Sequence, residues 1–242
     1  MALLEVRELG RRFSGLAAVD GLSFSLEEGQ TIAIIGPNGA GKTTTFNLLS
    51  GLLPPTHGRI IFDGQDVTRW PAHARCRRGM GRTFQVVQPF EDLSVVDNVL
   101  VGALFGGGPS RPVAAARAEA ETLCTLVGLD RQATAAVSDL TLADRKRLEV
   151  ARALATRPRL LLLDEVMEGL TPAEEREAVA VLRRVAQQGV SLLLIEHVMS
   201  TVRDLSDHVL VMDYGKKLTE GSYAEVAADP RVIEAYLGAE PV

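Results

Sequence analysis

Residues 36 to 43 read Gly-Pro-Asn-Gly-Ala-Gly-Lys-Thr, a complete G-x-x-x-x-G-K-[ST] string. Its setting constrains the fold more than the string itself. The apolar run Thr31-Ile32-Ala33-Ile34-Ile35 precedes it, and the helix-like stretch Thr44-Thr45-Phe46-Asn47-Leu48-Leu49 follows. A strand thus delivers a glycine-rich loop onto a helix N-terminus, where backbone N–H groups and the positive end of the helix dipole can meet phosphate oxygens. Gly36, Pro37, Asn38, Gly39, Ala40, Gly41, Lys42, Thr43 and Thr44 form the expected phosphate cradle. Within it, Lys42 is expected to reach the β- and γ-phosphates, and the Thr43 hydroxyl to ligate Mg²⁺. An ordinary glycine-rich turn has no need of a strand before it and a helix after it. The string implies that the chain binds a nucleoside triphosphate.

The remaining composition narrows the class. A chain of 242 residues suits one large α/β domain or two small lobes, with room for a substantial core. Lys+Arg 26 against Asp+Glu 31 leaves a formal charge of −5, a poor balance for a nucleic-acid partner, which rewards clustered Lys and Arg. Cys76 and Cys124 lie far apart and fit no metal-binding spacing, so free thiols are expected. The N-terminal residues lack a basic region followed by a long apolar stretch, so no signal peptide is expected. No apolar run reaches membrane-spanning length: Leu160 to Leu163 is ended by Asp164 and Glu165. If the protein works at a membrane, another chain is expected to span it.

Short β-like runs at Leu3–Val6, Leu22–Leu26, Thr31–Ile35 and Arg59–Phe62 surround the loop. Pro71 opens a short helix-like segment. Residues 94–105 and 113–127 are apolar at helical spacing, separated by the breaker Gly106-Gly107-Gly108-Pro109-Ser110-Arg111-Pro112. Ala143–Leu154 reads as another helix. Alternation then resumes with strand Leu160–Leu163, helix Ala173–Gln187, strand Ser191–Ile195, helix Val198–Leu205 and strand His208–Met212. Unbroken Val, Leu and Ile suit strands buried on both faces of a parallel sheet. The stretch 88–155 has no strand signal and reads as a helical insertion. The arginines at 69, 75, 77, 78 and 82 read as a solvated face, with anionic lipid or an acidic coupling loop as the alternative.

Leu160-Leu161-Leu162-Leu163-Asp164-Glu165 is a buried strand ending in two carboxylates. After a phosphate loop, such an Asp holds Mg²⁺, which assigns Asp164 to the metal. Glu165, one residue on, is placed to deprotonate or orient the water that attacks the γ-phosphate.

With these residues the chain resembles the ATP-binding-cassette (ABC) transporter ATPases over essentially its whole length. Phe13 stands where that family stacks adenine on an aromatic ring. Gln85, in Gly81-Arg82-Thr83-Phe84-Gln85, matches the glutamine that links Mg²⁺ and water to the helical subdomain. Leu140-Thr141-Leu142-Ala143-Asp144 occupies the place of the Leu-Ser-Gly-Gly-Gln signature, so Thr141, Leu142, Ala143 and Asp144 would face a partner's ATP. Gly169-Leu170-Thr171-Pro172 stands at the D-loop position, and His197 matches the switch histidine that contacts the γ-phosphate. The resemblance implies a single α/β domain, a P-loop NTPase (RecA-like) core of mainly parallel sheet. An N-terminal antiparallel β subdomain and an inserted helical subdomain would complete it, with the core at 1–87 and 156–242 and the helical part at 88–155. It implies an ATPase using ATP and Mg²⁺, with Lys42, Gln85, Glu165 and His197 catalytic and Thr43, Gln85 and Asp164 at the metal.

Finer features are similar to the ATPase subunits of bacterial branched-chain amino-acid importers and related amide or urea systems. These are His73–Gln85, Leu93-Ser94-Val95-Val96-Asp97-Asn98-Val99 and the ending Asp229-Pro230-Arg231-Val232-Ile233-Glu234-Ala235-Tyr236-Leu237-Gly238. The lipopolysaccharide-export ATPase has a similar tail and stays as an alternative, as does a regulatory cassette that hydrolyses ATP poorly. Soluble cassettes of DNA repair or translation carry insertions or tandem cassettes that this chain lacks. The resemblance implies a second cassette as partner, separate permease subunits and, indirectly, a periplasmic solute-binding protein. It places the chain peripherally at the cytoplasmic face of the membrane. Residues 88–105 would line a groove for a short permease helix. The departures Ala143, Asp144 and Thr171 point to a heterodimer in which the partner has a more usual signature, with a homodimer and a role for Asp144 as a cap of its own helix as the alternatives.

Overall fold

The computed structural model describes residues 2–85, 88–108 and 111–237. Pro109 and Ser110 of the expected loop, and Gly238 of the C-terminal string, lie outside them. The chain divides into two compact units, Met1–Ala72 with Ser191–Val242, and His73–Val190.

The first unit starts with strands β1 (Ala2–Phe13), β2 (Leu16–Glu27) and β3 (Thr31–Ile35), then helix α1 (Lys42–Ser50) and strands β4 (His57–Phe62) and β5 (Gln65–Asp66). An antiparallel sheet runs in the order β2-β1-β4-β5. β1 and β2 are longer than their apolar runs suggest, pairing from Ala2↔Glu27 to Phe13↔Leu16 across a tight turn. Ser14 and Gly15 both have positive φ, at 42° and 98°, the backbone of a two-residue hairpin turn whose twist matches the strands. Register shifts between Val6 and Leu9 and between Leu9 and Arg11 break the alternation, which hides the far half of each strand from periodicity. His57 begins β4 opposite Gly10.

After residue 190 the first unit continues with β8 (Ser191–Ile195), α7 (Met199–Leu205), β9 (His208–Asp213), β10 (Lys216–Gly221), α8 (Tyr223–Ala227) and α9 (Pro230–Leu237). β3 is central, parallel to β8 on one side and β9 on the other, and β10 closes the edge antiparallel to β9. Every residue of β3 and β8 is buried, as their uninterrupted apolar runs require of strands covered on both faces. Phe46 and Leu48 of α1 are fully buried. The polar β10 and the five-residue α8 carry no strong periodic signal. A Ser222/Glu225 capping box at α8 is their one clear local cue.

The second unit contains α2 (Ala72–Arg77), β6 (Met80–Arg82), α3 (Val95–Phe105), α4 (Val113–Val127), α5 (Leu142–Ala155), β7 (Leu160–Asp164) and α6 (Pro172–Gln187). β6 runs parallel to β7, with Arg82 opposite Leu162. β6 is too short, and Gly81 too central in it, to show as a strand in sequence. Helices α3, α4 and α5 bury Val99, Ala116, Ala120, Cys124 and Leu148 among themselves. Cys76 and Cys124 are free thiols, and burial pushes Cys124 up to about 11, where little thiolate forms near neutral pH. Arg69 and Arg77 are exposed. Arg75 is buried and only 8% of the Arg82 side chain is exposed, so the arginine-rich stretch is not one solvated face. Among the described residues no helix is long and apolar enough to cross a membrane.

Candidate functional site

In the first unit the phosphate loop leaves the carboxyl end of β3 and enters α1 through Gly41, whose φ is 97°. The loop's path requires glycine at two points. A Cβ on Gly36 would lie 2.1 Å from the Met212 carbonyl oxygen, and one on Gly41 would lie 2.3 Å from that of Ala18. No side chain caps the N-terminus of α1, and its first turn holds no acid. Its leading N–H groups are therefore arranged for an anion. The Lys42 ammonium is buried and donates to the carbonyls of Gly36 at 2.7 Å and Pro37 at 3.0 Å. This clamps the loop around the charge. Thr43 is exposed and Thr44 half-buried at the start of α1, while Asn38 and Gly39 form the exposed tip.

Three more residues belong to this half. His197 is exposed two residues past β8, the strand beside β3. It and the loop thus leave the same end of neighbouring parallel strands, where open α/β sheets bind ligands. Phe13, 40% exposed, offers a ring for stacking, with the Arg11 guanidinium 4.7 Å from its centroid. Tyr236 of α9 was not singled out in sequence as a site residue. It is hydrogen-bonded to the Gly36 backbone, and its partial burial raises its phenol above the usual range. The loop thus has a support from the C-terminal helix, beside a cavity of about 540 Å³ lined by Pro37–Ala40, Tyr214, Leu218 and Arg231.

Exchange of Lys42 for alanine removes a charge-assisted donor worth about 1.5–3 kcal/mol. Nucleotide affinity should fall roughly 10- to 100-fold in a fluorescent-nucleotide titration. An unchanged affinity would show that Lys42 serves only the loop's shape.

In the second unit, Gln85 follows β6 and Asp164-Glu165 ends the neighbouring β7. The Gln85 amide donates to Glu165 Oε2 at 2.8 Å, joining two residues the sequence named separately. Glu165 is buried, with a left-handed φ of 50° that favours glycine. Asp164 is 2% exposed and accepts from Arg82 at 2.9 Å, while its backbone N–H donates to Thr83 Oγ1 at 3.1 Å. Burial pushes the Arg82 guanidinium below its ordinary value, and the Asp164 charge opposes that shift. The sequence does name Arg82, but nothing local pairs it with Asp164.

The segment after Gln85 is braced by two helices. Asn98 of α3, fully buried, accepts from the Phe90 N–H at 2.8 Å and donates to the Phe90 and Ser94 carbonyls at 3.0 Å. From α5, the Arg152 guanidinium donates to the Gln88 carbonyl at 2.8 Å and lies 5.0 Å from the Phe90 ring centroid. Glu149 binds the Phe84 backbone and Arg152, and burial raises its pKa in spite of both. Of the apolar residues expected to face a groove, Val95 and Val96 are core, whereas Phe90 is exposed.

The signature residues open α5. Thr141 is its N-cap: its hydroxyl accepts from the Asp144 N–H at 3.2 Å and donates to the Asp144 carboxylate at 2.8 Å. Asp144 is also 3.5 Å from Arg147. Both readings of Asp144 concern this one turn, and the capping geometry is realised. Leu142 is exposed and Ala143 buried. Thr171, at the D-loop position, caps α6 in a full capping box with Glu174. A side chain that sequence inspection missed lies two residues past Asp144: buried Lys146 donates to the Glu165 carbonyl at 2.9 Å.

The family described as "ABC transporter" matches residues 19–168, and that described as "Branched-chain amino acid ATP-binding cassette transporter" matches residues 216–242. The chain is 39% identical over 249 residues to the high-affinity branched-chain amino acid transport ATP-binding protein BraF of Pseudomonas aeruginosa, with 98% of each covered. It is also 39% identical to LivG of Escherichia coli, over 251 residues and 98% of each. A nucleotide-free ATP-binding cassette from an ABC transporter superposes with a TM-score of 0.88 at 28% identity, covering 98% of this chain and 99% of that one. A cassette in its ADP conformation reaches 0.89 at 29%, with the same coverage. This chain belongs to the ABC transporter family and is one of its ATPases.

Proposed function

We propose that this chain is the ATP-hydrolysing subunit of an importer for branched-chain amino acids or related amides, driving separate permease subunits from the cytoplasmic face of the membrane. The observation that carries the substrate class is the match of residues 216–242 to the branched-chain family, supported by the names BraF and LivG at 39% identity. The lipopolysaccharide export ATP-binding protein LptB of Acidithiobacillus ferridurans, 34% identical over 98% of this chain, keeps lipid export as the second reading.

In the proposed chemistry Phe13 stacks the base, and residues 36–44 hold the phosphates. Glu165 takes a proton from the attacking water, Gln85 orients that water, and His197 contacts the γ-phosphate. Thr43, Gln85 and Asp164 would hold Mg²⁺. Their oxygen donors suit a hard cation that is held by one or two protein groups together with substrate phosphates. Mg²⁺, when bound, offsets the charge that builds on the β- and γ-phosphates. The test is reconstitution with the permeases and solute-binding protein of its own system. ATP turnover should rise when the binding protein carries leucine, isoleucine or valine. Stimulation by lipopolysaccharide instead would favour the second reading.

The partner cassette is proposed to be a different chain. Asp144 places a carboxylate at the turn meant for a partner's γ-phosphate. At ~8 Å and an effective dielectric of ~20, each charge pair costs on the order of 2 kcal/mol, which Arg147 at 3.5 Å partly offsets. Alone, the chain should dimerise poorly and turn over roughly tenfold slower than when mixed with a cassette of Leu-Ser-Gly-Gly-Gln type. Equal turnover in both preparations would establish the homodimer.

A further inference from the structure

We propose that Lys146 is a positioning residue for Glu165, tying the helix that carries the signature to the hydrolytic carboxylate of the same chain. The proposal rests on the reading of Glu165 as base and of residues 141–144 as the contact to a partner's nucleotide, and adds a coupling between them.

Glu165 is held at both ends. Its carboxylate accepts from Gln85 at 2.8 Å, and its carbonyl accepts from the Lys146 ammonium at 2.9 Å. The backbone between these two anchors has a φ of 50°, a conformation that a non-glycine residue keeps only when its surroundings impose it. Lys146 is 8% exposed, so its charge is not spread into solvent as a surface lysine's would be. Its stem borders a small cavity of about 30 Å³ whose other walls include Val150, Val166, Leu170 and Val181. In such apolar company an ammonium depends on the polar atoms it reaches, and a charged donor on a carbonyl makes a stronger bond than a neutral one. The Glu165 carbonyl is thereby fixed relative to α5.

Lys146 sits on the same rigid turns of α5 as the cap formed by Thr141 and Asp144. A shift of that helix N-terminus carries the ammonium with it, and with the ammonium the carbonyl that sets the direction of the Glu165 side chain. Nucleotide bound against the signature of this chain is then felt at the base of this chain's own site. The nucleotide bound against this chain's signature and the base of this chain's own site communicate through one side chain inside this subunit.

The test uses the full-length chain in its assembled transporter, with Lys146→Met, Lys146→Arg and Lys146→Gln. Methionine follows the lysine stem and suits the apolar walls. Lys146→Met should lower kcat about 10- to 100-fold, the scale of a displaced catalytic group, with KM and nucleotide affinity within about twofold. Lys146→Arg should recover most of the rate, and amides 165–168 should exchange hydrogen faster in the methionine variant. A folded Lys146→Met with unchanged kcat, or with raised KM and intact kcat, overturns the proposal. If the methionine variant fails to fold, the charged donor in Lys146→Arg must still outpace the neutral one in Lys146→Gln, and equal rates overturn it. Combining Lys146→Met with Thr141→Ala should give less than the sum of the separate losses in log kcat; strict additivity overturns the coupling. Glu165→Gln separates the two failures: normal turnover there sinks the underlying assignment of the base, whereas a dead Glu165→Gln beside a normal Lys146→Met sinks the positioning role alone.

Discussion

Glutamine at position 165 should cut steady-state ATP turnover by about 10²- to 10⁴-fold, the range that a positioned general base contributes, while leaving nucleotide affinity near that of the parent. The amide keeps the volume of the carboxylate and can rotate its oxygen toward the Gln85 Nε2, which donates to Glu165 at 2.8 Å. The geometry that holds residue 165 is therefore expected to survive, and only the proton acceptor is lost. Phosphate release and fluorescent-nucleotide binding, measured on the same preparation, separate the two quantities. Mixed with its partner cassette, the variant should also accumulate as an ATP-bound pair on a sizing column, because closure no longer ends in hydrolysis. Turnover within a few-fold of the parent would move the base to another residue.

Arg82→Met should be the most damaging single change to stability among the residues of the second unit's site. Arg82 and Asp164 are 8% and 2% exposed at their side chains and 2.9 Å apart. Removing one member of a buried ion pair leaves the other charged in a poorly solvated place, at a cost of about 3–5 kcal/mol. For a chain of this size that corresponds to a fall of roughly 10 °C in melting temperature, read by thermal unfolding without nucleotide. The double variant Arg82→Met/Asp164→Asn should recover much of the loss, since the stranded charge is gone. A single variant that melts with the parent would mean that the ion pair contributes nothing net.

What was legible in the sequence was local. The phosphate loop, the strand–acid string at 160–165 and the helices at 95–105, 142–155 and 172–187 each carry their signal within a dozen residues, and each lies within a residue or two of its expected bounds. The capping role of Asp144 was equally local, because Thr141 and Asp144 are one helical turn apart. The connections within the site were not legible. Arg82 meets Asp164 across 82 positions, and Gln85 meets Glu165 across 80. Nothing in the spacing of the arginines distinguished buried Arg75 and ion-paired Arg82 from exposed Arg69 and Arg77, since local charge density reports neither strand pairing nor depth. Lys146 was hidden for a similar reason: within an Arg-Lys-Arg run it reads as solvated, and only the pairing of α5 with the end of β7 turns it inward. The far halves of β1 and β2 were lost to bulges, which erase the alternation on which strand reading depends.

The left-handed backbone at Glu165 has a further consequence. A non-glycine residue there raises the free energy of the folded chain by roughly 1–3 kcal/mol over one that adopts the conformation freely. Selection for folding alone would settle on glycine or asparagine at the end of β7, and neither carries a carboxylate. At this one position the best-folding sequence and the hydrolysing sequence differ, so any search for thermally hardened variants that is blind to activity should converge on a stable, silent cassette.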